Sequence, residues 1–178
     1  MHPVIQDMLP LLERIAIALE AAAQPTTAEG FFEYSQKVFC NVAKGNGDGW
    51  YTLKEGTATT LPPIAQGKVL NISFPMVERN GKGVCKFHLL MSIDGDIFKF
   101  ESGFDCYFSK TILAAFAAVS PVKLLTYSKT LRTGDKTLAV SIRGADGVKL
   151  SSEWSNDDDW KAISALAIEN VKAANDQA

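Results

Sequence analysis

In a chain of 178 residues, two histidines (His2, His88) and three cysteines (Cys40, Cys85, Cys106) leave few starting points for chemistry. Lys86 and His88 are two positions apart in a strand-like stretch, so both side chains project from one face. Such a histidine could serve as a general base. No nucleophile or carboxylate stands at a spacing that would complete a catalytic set, however, and a surface or core histidine is the simpler reading. Ser109-Lys110 lacks the three-residue offset of a Ser-x-x-Lys nucleophile. The Asp157-Asp158-Asp159 run could attract a divalent cation, but it has neither the alternating oxygen ligands nor the turn glycine of a calcium loop. Capping of a following helix explains it better. The cysteines are far apart with no C-x-x-C pair, so they read as buried free thiols rather than disulfides or zinc ligands. Phosphate-binding and dinucleotide motifs are absent. The expectation is a protein that is not an enzyme, with no catalytic residues, no cofactor and no metal.

Composition supports a folded body. Hydrophobic residues make up 47% of the chain and charged residues 21%, enough for the core of one ordinary domain and too apolar for a disordered chain. No run approaches the roughly 20 apolar residues of a membrane span. The apolar stretch 8–23 is broken by Pro10, Glu13, Arg14 and Glu20, and it lacks the basic leader of a secretion signal. A cytoplasmic protein with no membrane partner is expected. The net charge of -2 hides a division: residues 1–49 carry -3, residues 50–150 carry +5 and residues 151–178 carry -4. A basic centre between acidic ends suits a body that binds polyanions.

The elements that must position these residues change period along the chain. Apolar positions from Pro3 to Ala23 recur at three- and four-residue steps and predict an amphipathic helix, apolar over enough of its circumference to suggest self-association. A second, shorter helix is expected over 28–43, followed by a hinge at Gly45-Asn46-Gly47-Asp48-Gly49. In the centre the period falls to two. Leu70, Ile72 and Phe74 share one face, and Phe87, Leu89 and Met91 alternate with Lys86, His88 and Leu90. Asp94-Gly95 predicts a type I′ hairpin turn in which Ile93 faces Asp96, Met91 faces Phe98, Leu89 faces Phe100 and Phe87 faces Ser102. That register sends the aromatics to the core and gathers Lys86, His88, Leu90, Ser92, Ile97, Lys99 and Glu101 on the opposite surface. A helix over 109–119 follows, then strands over 122–129, 138–143 and 148–152. A final helix over 160–174, with Ile163, Leu166, Ala167 and Val171 on one face, starts at the aspartate cap. The expected units are a helical segment 1–49, a β-barrel unit 50–154 and a C-terminal helix 155–178 with an acidic start.

Several features together resemble OB-fold single-stranded DNA-binding proteins, in particular the divergent ones of phages and plasmids. They are the long first strand ending at Phe74-Pro75, the Arg79-Asn80-Gly81-Lys82-Gly83 turn, the Asp94-Gly95 hairpin, the following helix, and Tyr127 leading to the loop Arg132 to Lys136. The resemblance is one of pattern and covers about residues 66–152. It implies a mainly β fold with flanking helices: a five-stranded Greek-key barrel with one helix between strands three and four, plus N-terminal helices and a C-terminal helix. It also implies single-stranded DNA, or less readily RNA, bound along a basic groove across strands two and three. The groove residues would be Arg79, Lys82, Lys86, Lys99, Lys129, Arg132 and Lys136 with His88, and Lys123 would add to the field. Trp50, Tyr51 and Tyr127 would supply stacking surfaces, with Phe74 and Tyr107 as further candidates. Homo-oligomers through the N-terminal helices are expected.

A rival reading is a protein-interaction adaptor, in which the barrel is a scaffold and the acidic helical ends recruit a partner. Placement of the lysines separates the two. Scatter around the sheet favours the adaptor, and convergence on one wall favours the polyanion.

Overall fold

The computed structural model describes residues 36–41, 49–119, 138–150 and 153–176, together with the backbone of 125–131. The helix expected over 3–23 lies outside the described residues, as do the positions Gly45 to Asp48 of the expected hinge. Within them the chain runs β1 (Gln36–Phe39), β2 (Tyr51–Lys54), β3 (Thr57–Thr60), β4 (Ile64–Ser73), β5 (Met76–Arg79), β6 (Lys82–Ile93) and β7 (Asp96–Gly103). It continues through α1 (Tyr107–Ala118), β8 (Leu125–Leu131), β9 (Leu138–Gly144), β10 (Lys149–Leu150) and α2 (Trp160–Asp176).

The centre of the molecule follows from alternation and turn chemistry. Asp94 and Gly95 both take positive φ, 53° and 90°, as a type I′ turn requires. The β6–β7 pairing is the expected one, from Ile93↔Asp96 through Leu89↔Phe100 to Phe87↔Ser102. Phe87, Leu89 and Met91 are fully buried on one face, with Phe100 beside them. Asn80-Gly81 makes an equivalent turn between β5 and β6, which pair from Arg79↔Lys82 to Met76↔Cys85.

β4 joins two parts of the sheet. Its N-terminal residues Ile64 to Gly67 pair with β8, and Lys68 to Ser73 pair with β6. At the changeover any side chain on Gly67 would collide with the Ser92 carbonyl, so only glycine lets the two backbones approach there. A bulge between Val69 and Asn71 bends the strand. The carbonyls of Val69 and Leu70 accept hydrogen bonds from Asn175 Nδ2 of α2, each at 3.1 Å.

β4, β6 and β7 are consecutive antiparallel neighbours, and β8 returns after α1 to lie beside β4. This is the 4-1-2-3 order of a Greek key. The expected closed five-stranded barrel is not formed. The strand order is β10-β9-β8-β4-β6-β7-β1-β2-β3, with β5 attached to β6. Closure fails because β7 gives its free edge to β1, in parallel from Gln36↔Phe98 to Phe39↔Glu101. β1 also corrects the helix expected over 28–43 at its residues 36–39. Val38 enters the core from this strand, fully buried, and tertiary pairing outweighs local helix preference.

α1 and α2 pack on each other, α1 also on β9 and α2 also on β4. Ile112, Leu113 and Phe116 of α1 and Ala167, Ile168, Val171 and Ala174 of α2 join the core, while Leu166 is exposed. Asp159 caps α2 as expected, its Oδ1 accepting the Lys161 and Ala162 amides at 3.1 Å. Asn170 Nδ2 donates to the Phe116 and Ala117 carbonyls at the end of α1, which tethers one helix to the other. No helix among the described residues is long and apolar enough to cross a membrane.

Candidate nucleic-acid interface

The β6–β7 register leaves Lys86, His88, Leu90 and Ser92 facing away from the buried aromatics, in line with Gly103, Glu101, Lys99 and Ile97. The same wall extends in both directions. Lys82 continues the outward row of β6 and is paired with Arg79 of β5. Lys68 of β4 is opposite Ser92, and Lys37 of β1 is level with Lys99. Among the described residues, register places one carboxylate on this wall, that of Glu101.

Glu101 is buried and shared. Its Oε2 accepts a hydrogen bond from His88 Nε2 at 2.9 Å and an ion pair from Lys37 Nζ at 2.6 Å. The His88 hydrogen bond, opposed by burial and reinforced by Lys37, lowers the Glu101 carboxyl from an ordinary 4.5 to about 2. It therefore holds a negative charge at neutral pH and ties two of the wall's basic groups. His88 is accordingly a hydrogen-bond partner of Glu101 here.

The expected site residues separate into groups. Arg79 and Lys82 are exposed at the β5–β6 turn, Lys99 is half-buried, and Lys86 is buried at 8% exposure. Lys86 is thus far less open than a groove lysine should be. Lys129 and Tyr127 belong to β8, where the backbone alone is described, and Lys123, Arg132 and Lys136 lie outside the described residues. The aromatic expectations need correction. Trp50 is 1% exposed, packs edge-on to Phe100 and donates its indole N–H to the Pro62 carbonyl, so it belongs to the core. Phe74 is buried between Phe87 and Phe104. Tyr107 packs on Trp154 at 5.2 Å. Tyr51 is buried against Phe39, with centroids 5.4 Å apart and planes at 20°, and its hydroxyl is bonded to Asn41. Trp50, Phe74 and Tyr107 are taken up by packing with other rings, whereas Tyr51 stays on the face of Phe39 and is covered there.

Lys37, Phe39 and Lys68 were missed in the sequence. The two-residue alternation of Gln36-Lys37-Val38-Phe39-Cys40 was the available signal for β1, but it is short. The other chemical candidates resolve into structure. Ser109 Oγ is buried with Ser102 Oγ and the Gly103 carbonyl, each at 2.6 Å. Lys110 points elsewhere, to Asp105 and Asn156 and over the Trp160 ring at 5.0 Å. That arrangement fastens the 153–160 segment to α1 and leaves no Ser–Lys pair. Asp158 and Asp159 accept backbone amides of their own segment. All three cysteines are free thiols, and burial raises those of Cys40 and Cys85. A cleft of about 820 Å³ with a mixed lining opens on the core side between Leu61, Ile64, Ile93 and Phe98. Its aromatic floor, Trp50 and Phe100, is closed off by packing.

Comparison with protein-family models, with curated proteins and with solved structures finds no match for the chain.

Proposed function

We propose that this protein binds single-stranded nucleic acid, DNA in preference to RNA, along the outer wall of β5, β6, β7 and β1, and that it does so without catalysis. In this reading β4, β6, β7, α1, β8 and β9 form an opened relative of the OB fold. Its Greek-key order and the helix after the third of those strands support the likeness.

The observation that carries the proposal is the convergence of Arg79, Lys82, Lys99, Lys37 and Lys68 on one wall whose single carboxylate among the described residues is Glu101. A flexible polyanion gains from such a row by releasing counterions, whatever its base sequence. The convergence also favours this reading over an adaptor that recruits protein through acidic ends. Self-association through residues 3–23 belongs to the same proposal and is read by light scattering on the full chain.

The test is fluorescence anisotropy with a labelled oligothymidylate and its ribo counterpart across a salt series. Affinity should fall steeply with salt. The Arg79→Ala/Lys82→Ala variant should bind more weakly, with a log–log slope shallower by about 0.7 for each phosphate that is no longer neutralised. No binding at low salt, or binding indifferent to salt, overturns the proposal.

A further inference from the structure

Beyond the lysine row, β1 and β2 add a recess of about 420 Å³ on the same wall, lined by Gln36, Lys37, Phe39, Thr52, Leu53 and Lys54. Its geometry suits a planar group linked to an anion. Phe39 is half-buried and backed nearly parallel by Tyr51, which Asn41 anchors through its hydroxyl. The ring is therefore held in place before anything binds. Leu53, 46% exposed, adds an apolar edge. Lys37 holds its ammonium 4.8 Å from the Phe39 centroid while paired with Glu101. Among the described residues, no carboxylate lines the recess.

We propose that this recess takes one unpaired nucleobase, stacked at Phe39 and edged by Leu53, with Lys37 holding the adjoining phosphate. The inference rests on the single-strand reading above and supplies what the lysine row lacks, a ring placed for stacking. The site lies on strands outside the Greek-key unit. A strand crossing β6 and β7 over Lys99 would reach it next, because Lys37 is the neighbour of Lys99 across the β7–β1 pairing. Binding draws Lys37 from Glu101 toward a phosphate, which leaves the ring face to the base.

The experiment compares the full-length protein with Phe39→Leu and Phe39→Trp. The probes are an oligothymidylate and an abasic oligonucleotide of equal length, which keeps the phosphates and removes the bases. Phe39→Leu should weaken oligothymidylate binding about tenfold, the scale of one base–ring stack. Its salt slope should be unchanged, since no charge is removed, and Phe39→Trp should restore affinity. The wild type should prefer oligothymidylate to the abasic strand, and Phe39→Leu should lose most of that preference. Should Phe39→Leu fail to fold, photocrosslinking of a 5-iodouracil oligonucleotide to the wild type decides, with the crosslink expected in the 36–54 segment. Oligothymidylate binding that is indifferent to a folded Phe39→Leu, or crosslinks confined to other segments, overturns the subsite and leaves the wall reading intact. Absence of any oligonucleotide binding overturns both.

Discussion

Glu101 shows how one side chain serves stability and restrains the surface it belongs to. Its folded pKa is depressed, so the stabilisation is complete above 4.5 and is lost as pH falls toward about 2. The full effect is up to about 3 kcal/mol, taking about 1.4 kcal/mol for each unit of depression. Glu101→Gln should lower the melting temperature at neutral pH and flatten the dependence of stability on pH between 4.5 and 2, as followed by circular dichroism. On the single-strand reading the same variant should bind oligonucleotide more tightly, since it removes the one carboxylate on the described wall. His88 was legible in the sequence as a residue on the outward face. Its carboxylate partner was legible too, because the Asp94-Gly95 turn sets His88 opposite Glu101. Lys37 was not, since a four-residue strand inside a segment with helical spacing carries too weak a period to declare itself.

At the scale of elements, local rules account for most of the centre. The β6–β7 register, α1 and α2 all lie close to where periodicity and capping place them. The β2–β3 hairpin was not anticipated. Its turn puts Glu55 at φ 51° before Gly56, a conformation seldom signalled by glutamate, and its threonine-rich arms alternate little. Tertiary contacts also decide how β4 bends. The bulge carbonyls of Val69 and Leu70 lean on Asn175, which is more than 100 positions away in the chain. Asn175→Ala should destabilise the fold by about 1–3 kcal/mol in urea titrations, because it leaves acceptors partly unsatisfied where α2 covers the sheet. Leu166→Ala, on the exposed side of the same helix, should change stability little.

At the scale of the whole molecule, the C-terminal helix is part of the core, with Ala167, Val171 and Ala174 almost wholly buried. A chain ending at residue 159 should lose its cooperative thermal transition, since it would expose the face of α1 and β4 that α2 covers. Alternation, turn residues and caps are local, so the sequence by itself determined that the stretches of β4, β6, β7 and β9 are strands, how β6 and β7 align and which of their residues face outward. Charge partition along the chain likewise pointed to a basic middle. Whether that middle closes into a barrel was a competition for the edge of β7, and the tertiary structure decided it by pairing β1 there. The same contest brought Lys37 and Phe39 onto the wall and sent Trp50 into the core. Such outcomes depend on contacts between segments distant in the chain, which no local period records.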